Sequence, residues 1–283
     1  MAATRSLVTD AVVPVAGLGT RLAPLTRALP KELLPVGRAP VVGHVVEELA
    51  VCGIARVCFI TRRGKGAILD HFDDPHAGHP VSFLAVRQPV QRGLGDAVLC
   101  AEGAVAGPFV VALGDAVLSA GGGHGATVVT RLAEAFAAHG AVAAIAIEQV
   151  EPDAVSRYGI VAVGDPGDDG VLPVRGLVEK PGAATAPSRW AAAARYVLSP
   201  AIFGALRATA PGAGGEVQLT DAIAALLRDG GTVVAVPLLP GERRHDVGSP
   251  ASYARAFVDL ALDDPELGPG LRAHLAARLR EGP

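Results

Sequence analysis

Phosphate chemistry is what the charged residues of this sequence are best placed to perform. Arg21 and Lys31 lie on one loop behind a glycine turn, Gly17-Leu18-Gly19, which follows an apolar run ending at Ala16. Glycines let a backbone approach a ligand closely and leave N–H groups free to cradle an anion. Thr20 and Glu32 sit beside the two cations in the chain. A close backbone with two fixed positive charges suits a triphosphate; a tight turn with solvated charges is the plainer alternative. Two familiar phosphate loops do not fit. A dinucleotide fingerprint needs a third glycine where Leu22 stands and a helix that Pro24 would break. A Walker A loop needs Gly-Lys-Ser/Thr, which is absent here.

Three more places carry usable groups. Gln88 follows Arg87 and precedes Gly93-Leu94-Gly95. Its amide offers a donor and an acceptor to a pyrimidine edge, and the glycine turn can offer backbone groups to the same ring. Without such a ligand it is a strand-end glutamine on a solvated loop. Asp115 comes just after Leu113-Gly114, where a carboxylate is well placed to hold magnesium, or is a simple turn residue. Glu179-Lys180-Pro181 closes another apolar segment. A lysine there can hold a phosphate as a point charge, and the glutamate can accept hydrogen bonds from sugar hydroxyls. A solvated Glu-Lys turn is the alternative.

These positions share a logic only if strands end at them. Short β-branched runs at 11–16, 56–61, 81–86, 108–113, 141–148 and 232–237 read as buried strands. Helical periodicity marks 40–50, 66–72, 95–105, 127–139, 200–207, 216–228, 249–263 and 269–280. Strands alternating with helices imply a parallel sheet of right-handed crossovers, with ligands beyond the carboxyl ends of the strands. Residues 120–126 read as a flexible loop, and 158–198 as strand after strand. The expected fold is therefore α/β: a Rossmann-like mixed, mainly parallel sheet flanked by helices, with an added antiparallel β portion set against it. With no repeat and no long linker, one domain should span 1–283, with its core at about 11–262 and a helical tail at 263–283.

Composition narrows the partners. The chain has 283 residues, half of them hydrophobic, and a net charge of −3 with both signs spread along it. That argues against a general nucleic-acid or membrane-surface binder. No apolar run approaches a membrane span, and the first ten residues lack the apolar segment of a signal peptide. Cys52, Cys58 and Cys100 sit in apolar contexts without metal-type spacing, as expected of reduced core thiols in a cytoplasmic protein.

The succession GLGTR then PKELLP resembles the signature of sugar-1-phosphate nucleotidylyltransferases and, within them, of bacterial UTP–glucose-1-phosphate uridylyltransferases. RQ-x4-GLG, LGD at 113–115, YG at 158–159, EKP at 179–181, ARYVL at 194–198, GEVQLTDAI at 215–223 and HDVG at 245–248 follow in the family's order. Three features depart from its pattern: Asp96 replaces a histidine after GLG, Ala194 replaces a glycine, and the stretch before Arg87 is shorter. The resemblance implies an enzyme that joins UTP and glucose 1-phosphate, with Mg2+ as cofactor and a homo-oligomeric state, dimer or tetramer. It implies roles for Arg21, Lys31 and Lys180 in catalysis. Ala16, Gly17, Leu18, Gly19, Thr20, Glu32, Gln88 and Gly93 would bind the nucleotide. Tyr158, Gly159, Glu179, Lys180, Arg195 and Glu216 would bind the sugar, and Asp115 and Asp246 the metal. Asp96 is expected to cap the helix that follows the GLG turn. A thymidylyl- or other nucleotidylyltransferase acting on a different sugar is the nearest rival. A silent sugar-nucleotide sensor would instead predict loss of Arg21, Lys31, Asp115 or Lys180, and all four are present.

Overall fold

The apolar runs become strands and the periodic segments become helices, in nearly the predicted order. The computed structural model describes residues 8–73, 80–120 and 127–281. In chain order the elements are β1 (Asp10–Pro14), β2 (Pro35–Val36), β3 (Ala39–Pro40), α1 (Val41–Val51), β4 (Arg56–Thr61), α2 (Gly66–Phe72), β5 (Ser82–Arg87) and α3 (Leu94–Leu99). Then come β6 (Phe109–Ala112), β7 (Ala116–Ala120), α4 (Val128–Ala138), β8 (Ala143–Gln149), β9 (Gly159–Val163), β10 (Leu172–Glu179) and β11 (Trp190–Leu198). The chain closes with α5 (Ala201–Ala208), α6 (Leu219–Arg228), β12 (Val233–Pro237), β13 (Glu242–Asp246), α7 (Pro250–Asp263) and α8 (Gly268–Glu281).

Nine strands form one sheet in the order β5-β4-β1-β6-β11-β8-β12-β10-β9. Pairing is parallel from β5 through β6 and again between β8 and β12. It is antiparallel where β11 joins β6 to β8 and where β10 joins β12 to β9. The antiparallel portion thus continues the first sheet edge to edge. One face packs on α1, α2 and α4 through residues such as Val45, Leu49, Ile68 and Leu132. The other packs on α3, α5 and α6 through Val98, Ile202, Leu206 and Ile223. Continuous apolar strands are what a sheet covered on both faces requires. No helix among the described residues is long and apolar enough to cross a membrane.

Three features that bear on the site differ from expectation. The helix expected over 95–105 ends at Leu99 and gives way to turns around Gly103, a poor helix residue. The helix expected from 216 starts at Leu219, because Gln218 is extended (φ −90°, ψ 131°). Residues 216–217 instead run against the GLG turn, with Val217 N–H donating to Arg92 O at 2.7 Å and Gly95 N–H donating to Val217 O at 2.9 Å. The third difference is a pair of unpredicted strands. β7 and β13 form an antiparallel ribbon that places Asp246 opposite Ala116. The expected loop at 120–126 lies, beyond Ala120, outside the described residues, as does most of the short segment before β5.

Candidate active site

The loop after β1 folds back on itself and carries the cations to the strand ends. Gly19 holds a left-handed φ of 68°, which favours glycine, and its carbonyl accepts a hydrogen bond from Thr26 Oγ1 at 2.8 Å. A single turn at Lys31–Leu33 then returns Lys31 over Gly17; a Cβ on Gly17 would lie 3.4 Å from Lys31 Cε. Ala16, Gly17, Leu18, Gly19, Thr20, Arg21, Lys31, Glu32, Gln88, Gly93 and Asp115 all line one cleft of about 490 Å³. Glu32 is 1 % exposed and accepts a hydrogen bond from the buried Lys65 Nζ at 2.5 Å. Its carboxylate is thus tied to Lys65 beneath the loop, while the residue still lines the cleft. Burial pulls the Lys65 pKa down, against the pull of Glu32.

The β7–β13 ribbon explains how two distant aspartates become neighbours. Asp246 ends β13 opposite the first residue of β7, and Val247 N–H donates to Asp115 O at 2.9 Å. Lys31 Nζ donates to Asp115 Oδ2. Burial works to raise the Asp115 pKa, but the Lys31 charge and hydrogen bond outweigh it and leave the group below the usual carboxylate range. Asp246 goes the other way: burial raises its pKa, and the charge of Asp115 raises it further. Gly248 passes so close that a Cβ there would lie 2.8 Å from Asp246 Oδ2 and 3.2 Å from Arg21 Nη2. The charge of Asp115 thus opposes ionisation of Asp246, although Lys31, Arg21 and Arg244 pull the other way. The hard oxygen donors of the two aspartates fit Mg2+, which commonly takes one or two carboxylates and completes its shell with water and substrate phosphates. Among the described residues no group of three or more His, Cys, Asp or Glu side chains gathers.

At the far end of the same cleft, Gln88 follows β5 and is 3 % exposed. The glycines of the GLG turn are required by the chain that crosses them. A Cβ on Gly93 would lie 2.8 Å from Glu216 Cβ, and one on Gly95 would lie 2.7 Å from Val217 O. Asp96, expected to cap the helix, does not. The N-cap is Gly93, and Asp96 lies in the first turn, bonded to Gln88 and Arg92.

A second cleft of about 220 Å³ adjoins the first, and the two share Leu94, Leu113 and Glu216. Tyr158, Gly159, Glu179 and Lys180 line it. Lys180 adopts a left-handed φ of 44°, with its N–H donating to Tyr158 O at 3.0 Å and its ammonium 3.0 Å from Glu179 Oε1. Strain of this kind in a non-glycine residue concentrates where geometry is demanded by function. Thr220 Oγ1 donates to Glu179 Oε2 at 2.7 Å, and a Cβ on Gly159 would lie 2.9 Å from that hydroxyl.

Arg195 is not on this cleft, contrary to expectation. It is fully buried on the opposite face of β11, donating to Glu48 Oε2 of α1 through Nη2 at 2.6 Å and Nε at 3.1 Å. The reason is alternation along the strand: Ala194 and Tyr196 point to the cleft, so Arg195 between them points away. Ala194 holds a left-handed φ of 63°, which disfavours any Cβ by about 1–2 kcal/mol. Replacing Ala194 by glycine removes that strain and returns some of it as unfolded-chain entropy. The expected net gain is roughly 0.5–1 kcal/mol, read as a higher urea midpoint at unchanged m-value.

Three side chains near the clefts escaped the sequence reading. Lys65, between two glycines in the sequence, is the buried partner of Glu32. Thr220 lines the smaller cleft and holds Glu179. Arg244 lines the smaller cleft, sits 4.1 Å from the Tyr158 ring centroid and donates to Glu148 Oε1 at 2.5 Å. Two-residue periodicity from Asp246 would have found Arg244 had 242–246 been read as a strand.

The description "Nucleotidyl transferase" belongs to the family model that matches residues 10–262. A UTP–glucose-1-phosphate uridylyltransferase of Streptococcus pneumoniae serotype 4 is 37 % identical, over 95 % of this chain and 96 % of that one. The enzyme of the same name from Escherichia coli K12 is 36 % identical, over 97 % of each. The structure of a UTP-bound UGPase from Acinetobacter baumannii superposes with a TM-score of 0.84, at 33 % identity and covering 95 % and 99 % of the two chains.

Proposed function

The chain belongs to the nucleotidyl transferase family, and we propose that it transfers a uridylyl group from UTP to glucose 1-phosphate, giving UDP-glucose and pyrophosphate. The observation that carries this reading is the junction of the two clefts at Leu94, Leu113 and Glu216, beside Asp115. The larger cleft has a glycine loop with two cations at one end and an amide beside a glycine turn at the other. The smaller has a lysine and hydroxyl-seeking carboxylate at its rim. Relatives named for UTP–glucose-1-phosphate uridylyltransfer support the choice of substrates.

The reaction is an in-line displacement. A phosphate oxygen of the sugar phosphate attacks the α-phosphorus of UTP, and the bond to the pyrophosphate oxygen breaks. No side chain needs to form a covalent bond. The protein brings two anions together and offsets their repulsion. Arg21 and Lys31 hold the triphosphate against the loop amides of 16–20. Lys180 holds the sugar phosphate, while Glu179, placed by Thr220, accepts from sugar hydroxyls beside Tyr158, Gly159 and Glu216. Gln88 and Gly93 read the base. Asp115 and Asp246 would hold Mg2+, which when bound supplies charge neutralisation on the phosphate oxygens. The three cysteines, all free, favour a cytoplasmic location.

The test is pyrophosphate release with magnesium and glucose 1-phosphate, across UTP, dTTP, CTP, GTP and ATP. Release with UTP well above the others is the expected result. Preference for dTTP would keep the mechanism and move the specificity. Failure of all five to give release or to shift the melting temperature would overturn the reading.

A further inference from the structure

We infer that Asp96 is a positioning residue that turns the oxygen of the Gln88 amide toward the base, and so sets the preference for uracil over cytosine. The inference rests on the proposal that Gln88 reads the base. Gln88 Nε2 donates to Asp96 Oδ2 at 2.7 Å and, more weakly, to Gly93 O at 3.3 Å. The other carboxylate oxygen, Asp96 Oδ1, accepts from Arg92 Nη2 at 2.8 Å and Nε at 3.1 Å. An ionised carboxylate and a carbonyl both only accept, whereas an amide has one donating and one accepting end. A flipped Gln88 would set its oxygen against two other oxygens within a buried space and leave a buried acceptor unsatisfied. The amide is therefore held one way round.

The consequence lies at the cleft. Gln88 Oε1 has no donor among the described residues, and it is not among the sealed side-chain atoms that lack a partner. It is the accepting end that remains for a ligand in the cleft that Gln88 lines. A uracil seated with N3 toward it presents N3–H, a donor. A cytosine in the same seat presents the N3 lone pair, an acceptor, and the two repel. Arg92 secures the arrangement from outside, since it occupies Oδ1 and leaves Oδ2 to Gln88. The histidine that the resembled family carries here is replaced by a residue that can only accept when ionised.

Asp96→Asn tests this directly. Arg92 keeps the asparagine oxygen, so the new NH2 faces Gln88 and forces its amide to flip, presenting Nε2 to the base. The ratio of kcat/KM for UTP to that for CTP should fall at least about tenfold, with CTP gaining relative to UTP. The double variant Asp96→Asn with Gln88→Glu restores a donor facing an acceptor and again leaves an oxygen toward the cleft. It keeps the buried hydrogen bond, so it serves even where the single variant unfolds, and its preference should return toward wild type. A single variant that slows both nucleotides equally, or a folded double variant that does not favour UTP, overturns the role of Asp96. A wild-type protein inactive with every nucleotide overturns the uridylyl-transfer reading and this inference with it, an outcome distinct from an active, UTP-preferring wild type whose preference survives Asp96→Asn.

Discussion

Asp115→Asn should lower turnover by on the order of 10²-fold or more, the usual effect of losing one electrostatic stabiliser at a reacting centre. The substitution keeps the side-chain volume and removes the charge. That charge does two things in the structure: it pairs with Lys31 and raises the proton affinity of Asp246. Without it, the pair proposed to hold magnesium is reduced to one carboxylate. The effect should fall mainly on kcat, because the base-reading residues proposed at the Gln88 end of the cleft are untouched. Pyrophosphate release at saturating UTP and glucose 1-phosphate, over a range of magnesium concentrations, measures it. A melting curve taken in parallel separates lost chemistry from lost fold. Turnover equal to wild type in a folded variant would remove Asp115 from the site.

The sequence exposed the strand-end part of this site and hid the part built by side-chain pairing. Loops after the first and third predicted strands and after 113 do converge on one cleft, because a parallel sheet delivers its carboxyl ends to one edge. β1, β4 and β6 were visible because burial on both faces demands uninterrupted apolar runs. β13 reads ERRHD, with no apolar residue to mark it. Its burial is offset by ion pairs instead, Arg131 with Glu242 and Arg244 with Glu148, and such partners lie about a hundred residues away in the chain. The same difficulty hid Lys65. A local window cannot see that Glu32 waits beneath it. Asp96 shows a third case, where a residue type common at caps was taken for one. The turn's left-handed glycine at 93 (φ 97°) already sets the helix start, which frees Asp96 for the interior of the first turn.

Arg195 carries the second large expectation, and it concerns stability rather than catalysis. Its guanidinium is wholly buried and makes four hydrogen bonds: two to Glu48 Oε2, one to Ala194 O and one to Ala116 O. Glu48 is itself buried within an otherwise apolar face of α1, and its Oε1 has no partner among the described residues. Arg195→Met would fill much of the space but strand that carboxylate without a counter-charge. Breaking a buried pair from one side destabilises by about 3–5 kcal/mol, even though the intact pair adds little net stability. For a chain of this size that is a fall in melting temperature on the order of 10 °C. The KM for glucose 1-phosphate, measured well below the transition, should stay within about twofold of wild type, because such a change lies inside ordinary surface-scale perturbation and the side chain does not reach the cleft. Losing the bond to Ala116 O loosens the strand that follows Asp115, so any kinetic effect should appear in kcat. A tenfold rise in that KM with an unchanged melting temperature would return Arg195 to the sugar site. It would also mean that β11 does not hold the register that sets Tyr196 opposite Val111 and Ile145.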